Sequence, residues 1–250
     1  MIQPIPMLTD NYCWLLSMPD RNDALLVDPS ESDKAIQALE HAGRTLAGIL
    51  ITHHHADHVG GVQGIVDRLG PLPVVCSLYD HRHNRVPCAT TEVGEGDIIE
   101  MAGMTFSICD VPGHTLGAIA YYNADANAAF TGDTLFLAGC GRLFEGTPAM
   151  MHASLQKLAA LPPETLIYCG HEYTARNLRF AISIDPENIA IQNRIEKLPS
   201  DNIPTVPATL ATELATNPFL RVETPSLRTF THCDDPVGVF TALREARNRY

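Results

Sequence analysis

The sequence is short of positive charge: 17 Lys and Arg stand against 29 Asp and Glu, a formal net charge of −12. Phosphate backbones are bound by basic surfaces, so this balance argues against a nucleic-acid substrate. Long apolar runs are also missing, and none approaches the roughly 20 residues that span a bilayer. No C-x-x-C pair occurs. The cysteines are odd in number and scattered (13, 76, 88, 109, 140, 169, 233), which suits a reducing compartment better than a disulfide framework. Met1 to Pro6 shows no basic stretch followed by an apolar one, so no secretory signal is expected. Internal repeats and low-complexity segments are absent as well. The expectation is a cytoplasmic, non-membrane protein, and a monomer, since no association helix or large apolar motif stands out.

What is present is enough for a packed core: 250 residues, 45% of them hydrophobic, can hold one large domain and a small one. The richest segment is Thr52-His53-His54-His55-Ala56-Asp57-His58, with four possible metal ligands, His53, His55, Asp57 and His58, close together. The apolar run Leu46 to Ile51 before it reads as a buried strand that would hold the loop rigidly. Imidazole with carboxylate suits zinc and its first-row neighbours, and ligands this crowded suggest two adjacent ions. Three further apolar runs end in a glycine and then a ligand: Gly113-His114, Gly132-Asp133 and Gly170-His171. A lone histidine after a glycine is usually a turn residue, but four strand-end ligand sites in one domain make coincidence a poor account.

Alternation and turn residues predict a hairpin of strands at 13–18 and 24–27, and further strands near 73–76, 97–101, 104–109, 118–122, 128–131 and 165–169. Helices are expected over 33–41, 59–69 and about 150–161. Strands interleaved with helices indicate an α/β layer architecture. Beyond Tyr173 the pattern is helical, over 173–184, 187–198, 208–216 and 237–250, with breaks at 185–186, 199–207 and 217–236. The expected division is a catalytic domain over 1–173 and a small helical domain over 174–250.

These residues resemble the metallo-β-lactamase superfamily and, within it, glyoxalase II, the hydroxyacylglutathione hydrolases. The superfamily is carried by Thr52 to Gly61, Pro112-Gly113-His114-Thr115 and Thr131 to Phe136. The narrower likeness rests on Gly139-Cys140-Gly141-Arg142-Leu143-Phe144-Glu145-Gly146-Thr147 and Gly170-His171-Glu172-Tyr173-Thr174. The resemblance implies an αββα sandwich followed by a small all-helical C-terminal domain. It implies two divalent ions, zinc first, iron or manganese also fitting. His53, His55 and His114 would hold one, Asp57, His58 and His171 the other, with Asp133 bridging them.

The implied reaction is hydrolysis of a glutathione thioester, typically S-D-lactoylglutathione to glutathione and D-lactate, the second step of methylglyoxal detoxification. A metal-bound hydroxide would be the nucleophile, with the metal-holding carboxylates Asp57 and Asp133 as the catalytic side chains. A departing thiolate is a weak base, so little help from a general acid is required. The family's substrate-binding positions correspond to Arg142, Phe144, Tyr173, Arg244 and Arg247. Phe144 departs from relatives with tyrosine there and lacks a hydroxyl donor. His54 should point away from the metals and support its neighbours. Rivals are a glutathione-persulfide dioxygenase, an iron enzyme that usually lacks so long a helical tail; a lactonase or β-lactamase; and a non-catalytic metal-binding protein.

Overall fold

The computed structural model describes residues 1–199 and 203–250; positions 200–202, within the connector expected over 199–207, lie outside the described residues. Cα packing separates the chain into two compact units, Met1–Asp110 with Gly117–Gly132, and Val111–Leu116 with Asp133–Tyr250.

The first unit opens with β1 (Ile2–Met7), β2 (Asn11–Ser17) and β3 (Asp23–Val27), paired antiparallel in that order. Every residue of β2 is buried, as a strand covered on both faces requires. Helix α1 (Ser32–Ala42) ends at Gly43 in the left-handed region and leads to β4 (Thr45–Leu50), parallel to β3. After the histidine-rich loop come a one-turn helix α2 (Ala56–Val59) and helix α3 (Val62–Leu69). The helix expected from Val59 therefore starts earlier and is broken at Gly60-Gly61, where the Gly61 N–H donates to the Pro29 carbonyl at 2.9 Å. Asp57 and His58 consequently sit on a helical turn.

Strand β5 (Val74–Ser77), helix α4 (Leu78–Arg82) and β6 (Thr91–Val93) complete the first sheet, with β4, β5 and β6 parallel. Ala35, Leu39, Val62 and Ile65 of α1 and α3 pack on its outer face against Leu26, Ile49, Ile51 and Cys76. β7 (Ile98–Met101), β8 (Met104–Asp110), β9 (Ile119–Asn123) and β10 (Ala128–Gly132) form an antiparallel ladder facing the first sheet. The Tyr121 hydroxyl, on β9, donates to the carbonyls of Ile51 and Val75 at 2.9 and 3.2 Å. That buried phenol ties the two sheets together behind the loop that carries the histidines, and burial raises its pKa well above the ordinary tyrosine value.

The second unit contains the short hairpin β11 (Leu135–Phe136) and β12 (Gly139–Cys140), helix α5 (Pro148–Ala159), capped by the Thr147 hydroxyl, and β13 (Leu166–Cys169). Helices α6 (Thr174–Ile184) and α7 (Ile189–Glu196) follow. Ala208–Thr209 is a strand, β14, paired with β13, so the helix expected from 208 begins two residues later as α8 (Leu210–Thr216). The expected break at 217–236 contains helix α9 (Pro225–Thr231), which opens on proline and buries only Leu227. One buried position is too weak a periodic signal to read from the sequence. The chain closes with α10 (Pro236–Arg249). Among the described residues no helix is long and apolar enough to cross a membrane.

Candidate metal centre and flanking cations

In the first unit, β4 delivers the chain into the loop that carries His53 and His55, and α2 carries Asp57 and His58. Asp28, just past β3, organises them. Its carboxylate accepts from the Thr52 N–H at 2.8 Å and the Thr52 hydroxyl at 2.6 Å. It also lies 2.9 Å from His58 Nδ1. The Thr52 hydroxyl lies 3.1 Å from His53 Nδ1. With these Nδ1 atoms engaged, His53 and His58 are left to ligate through Nε2.

His53 Nε2 and His55 Nδ1 stand 3.1 Å apart, and His58 Nε2 lies 3.8 Å from an Asp57 oxygen. Bonds of about 2.0–2.1 Å to a first-row ion place neighbouring ligand atoms roughly 3–3.5 Å from one another, so the histidine pair fits such an ion and the His58–Asp57 pair is only slightly wider. Asp57 is steadied by Asn11, whose amide donates to its carbonyl and carboxylate at 3.0 and 3.1 Å, and by Ser30, whose hydroxyl donates to its carbonyl at 2.6 Å. His54 turns instead toward buried Asp80, at 3.3 Å.

In the second unit three more donors gather. His114 Nε2 and His171 Nε2 lie 3.5 and 3.3 Å from the same oxygen of Asp133, again the edge length of a coordination polyhedron. His114 Nδ1 sits 2.8 Å from the Arg142 carbonyl, which fixes the ring. Gly132, just before Asp133, has a φ of +48°, and a Cβ there would meet the Thr52 hydroxyl at 2.4 Å, so only glycine admits this turn. The Tyr173 ring stacks on the His171 ring, centroids 4.7 Å apart and 8° from parallel. Phe144 is exposed and meets His114 edge-on at 5.2 Å.

The two arginines of α10 are not surface charges. Arg244 is 5% exposed: it donates to the Cys140 carbonyl at 2.7 Å and lies over the Phe219 ring at 5.1 Å. Arg247 is 9% exposed and donates to the side-chain amide oxygen (Oδ1) of Asn177 at 3.2 Å. Burial and then the guanidiniums of Arg176, Arg244 and Arg142 push Arg247 down to about 10, still a cation at neutral pH. Arg142 is exposed, and its carbonyl serves His114. The cysteines near the site are packing groups: burial raises the Cys140 thiol, which contacts Arg244, and lifts Cys169 to about 12.

Asp28, Asn11, Ser30 and Asp80 were not anticipated from the sequence. Only Asp28 left a local trace, an acidic residue directly after an apolar strand, and by itself that reads as a turn.

Residues 8–171 match the family described as Metallo-beta-lactamase superfamily, and residues 172–250 match Hydroxyacylglutathione hydrolase C-terminus. A protein of Synechococcus sp. called hydroxyacylglutathione hydrolase is 43% identical over 98% of this chain and 98% of its own. The crystal structure of ETHE1 from Myxococcus xanthus superposes with a TM-score of 0.67 at 26% identity, covering 87% of this chain and 83% of its own. That of TTHA1623 in a di-iron-bound form gives 0.64 at 27% identity, covering 88% and 100%.

Proposed function

The chain belongs to the hydroxyacylglutathione hydrolases of the metallo-β-lactamase superfamily, and on that footing we propose that it hydrolyses S-(2-hydroxyacyl)glutathione, with S-D-lactoylglutathione as the reference substrate, to glutathione and a 2-hydroxy acid. The observation that carries this reading is the match of residues 172–250 to the hydrolase C-terminus, because that segment supplies Tyr173, Arg244 and Arg247. It also weighs against the persulfide dioxygenase, which usually lacks so long a helical tail.

From the family correspondence we assign His53, His55 and His114 to one divalent ion and Asp57, His58 and His171 to a second, with Asp133 shared. The donor set takes zinc, iron or manganese. When bound, the ions supply Lewis acidity, which lowers the pKa of water toward neutrality and polarises a carbonyl. The chain's own part is positioning. Thr52, Asp28 and the Arg142 carbonyl engage Nδ1 of His53, His58 and His114 and leave Nε2 of each ring for ligation. Tyr173 is held against His171, and the arginines present positive charge to the two carboxylates of the tripeptide. A thiolate departs without a proton donor, so no acid side chain is required.

Residues 1–173 act in this reading as the catalytic domain and 174–250 as the glutathione-binding domain, in a monomer working in the reducing cytoplasm. The seven scattered cysteines, with no C-x-x-C pair among them, support that compartment.

The test is thioester hydrolysis by protein carrying two metals per chain, using S-D-lactoylglutathione beside the same acyl group on a thiol without carboxylates. Fast turnover with strong preference for the glutathione ester is expected. No turnover of either ester would overturn the assignment.

A further inference from the structure

The second unit concentrates positive charge in a chain whose net charge is −12. Four guanidiniums belong to the cluster, Arg142, Arg176, Arg244 and Arg247, and among the described residues no carboxylate pairs with any of them. The buried two are engaged by neutral acceptors, the Cys140 carbonyl, Asn177 and Asn248. The exposed two, Arg142 and Arg176, have side chains that donate to nothing among the described residues.

Arg176 is the unexpected member. It lies in the first turn of α6, three residues past Tyr173 and directly before Asn177, the residue that receives Arg247. The first turn of a helix favours anions, and α6 has no acidic residue there. A cation at that place is therefore opposed by the helix dipole and by its neighbouring guanidiniums. Behind burial, the guanidinium of Arg176 is among the neighbouring charges that lower Arg247, together with Arg244 and Arg142. Like charges left unneutralised beside a site are offset when an anion binds.

We propose that Arg176 is a specificity-determining residue, which takes a carboxylate of the substrate's thiol-bearing part at the rim of the cluster formed with Arg142, Arg244 and Arg247. This rests on the hydrolase reading above and adds to it a residue that the family motifs did not single out. An exposed guanidinium contributes through charge and is screened by salt, whereas the buried pair also shapes the pocket.

The experiment compares Arg176→Gln, Arg176→Lys and Arg179→Gln, the last an exposed arginine one turn further along α6, in metal-replete enzyme. The readout is the ratio of kcat/KM for S-D-lactoylglutathione to that for the carboxylate-free thioester. Arg176→Gln should lower the ratio about three- to tenfold through KM, the scale of one partly solvated charge contact. It should also flatten the rise of KM with salt. Arg176→Lys should recover most of the ratio, and Arg179→Gln should leave it at the wild-type value. A ratio unchanged in Arg176→Gln, a loss carried by kcat, or an equal loss in Arg179→Gln would overturn the inference. If wild-type enzyme itself shows no preference for the glutathione ester, the function falls and this inference with it. A wild-type preference that Arg176→Gln retains overturns the inference alone.

Discussion

At the scale of single residues, the proposed ligand cluster depends on the groups behind it. Asp28 holds Thr52 and His58 together through three contacts of 2.9 Å or less. Removing such an outer partner typically weakens metal affinity about 10- to 100-fold. Asp28→Asn should show that loss in chelator competition while its circular dichroism stays native; undiminished affinity would show that Asp28 only braces the loop. Asp133→Ala should lose both metals and activity, and full activity without it would contradict a shared carboxylate. The paired change Arg244→Ala, Arg247→Ala removes two buried cations. KM for the glutathione ester should rise by at least about tenfold, one charge-assisted contact or more, with metal content per folded chain intact. An unchanged KM would remove α10 from the substrate site.

At the scale of elements, the β11–β12 hairpin and the residue after it pack against two of the proposed ligands, Asp133 and His114. A Cβ on Gly141 would stand 2.0 Å from the Asp133 carbonyl oxygen and 2.9 Å from His114 Nδ1. Backbone cannot yield to that contact as a side-chain tip could, so Asp133 and His114 must shift. Gly141→Ala should therefore lose metal before it loses fold, with destabilisation of about 2–4 kcal/mol in line with large single-site effects. Metal analysis beside a thermal melt checks the order of loss. The same hairpin explains why Arg244 matters beyond its charge: it donates to the carbonyl of Cys140, the last residue of β12.

At the scale of the whole molecule, stability and metal binding are linked. Ions that bind only the folded chain stabilise it by about 2.7 kcal/mol at a hundredfold excess over Kd. For a chain of this size that corresponds to roughly 5–10 °C in Tm. Chelated protein should melt lower by that margin and recover on adding zinc. A melting temperature indifferent to chelator would mean that the donors bind no ion tightly. The acidic balance of the chain makes this coupling useful, because carboxylates such as Asp57 and Asp133 lose a stabilising counter-charge when the ions leave.

Much of this was legible locally. The proposed ligands stand out because the motifs that carry them follow apolar runs visible in the sequence, and most of the helices follow from their periodicity and caps. Helix α9 and strand β14 were not, the one because it buries a single residue and the other because two residues make no pattern. The sequence by itself thus determined which donor residues are present, their order and the layered architecture. Only the tertiary structure decided which ring nitrogen of each histidine is engaged and that Arg244 and Arg247 are buried rather than solvated. Those outcomes depend on contacts between residues 30, 70 and 104 positions apart, and separations of that length leave no local trace.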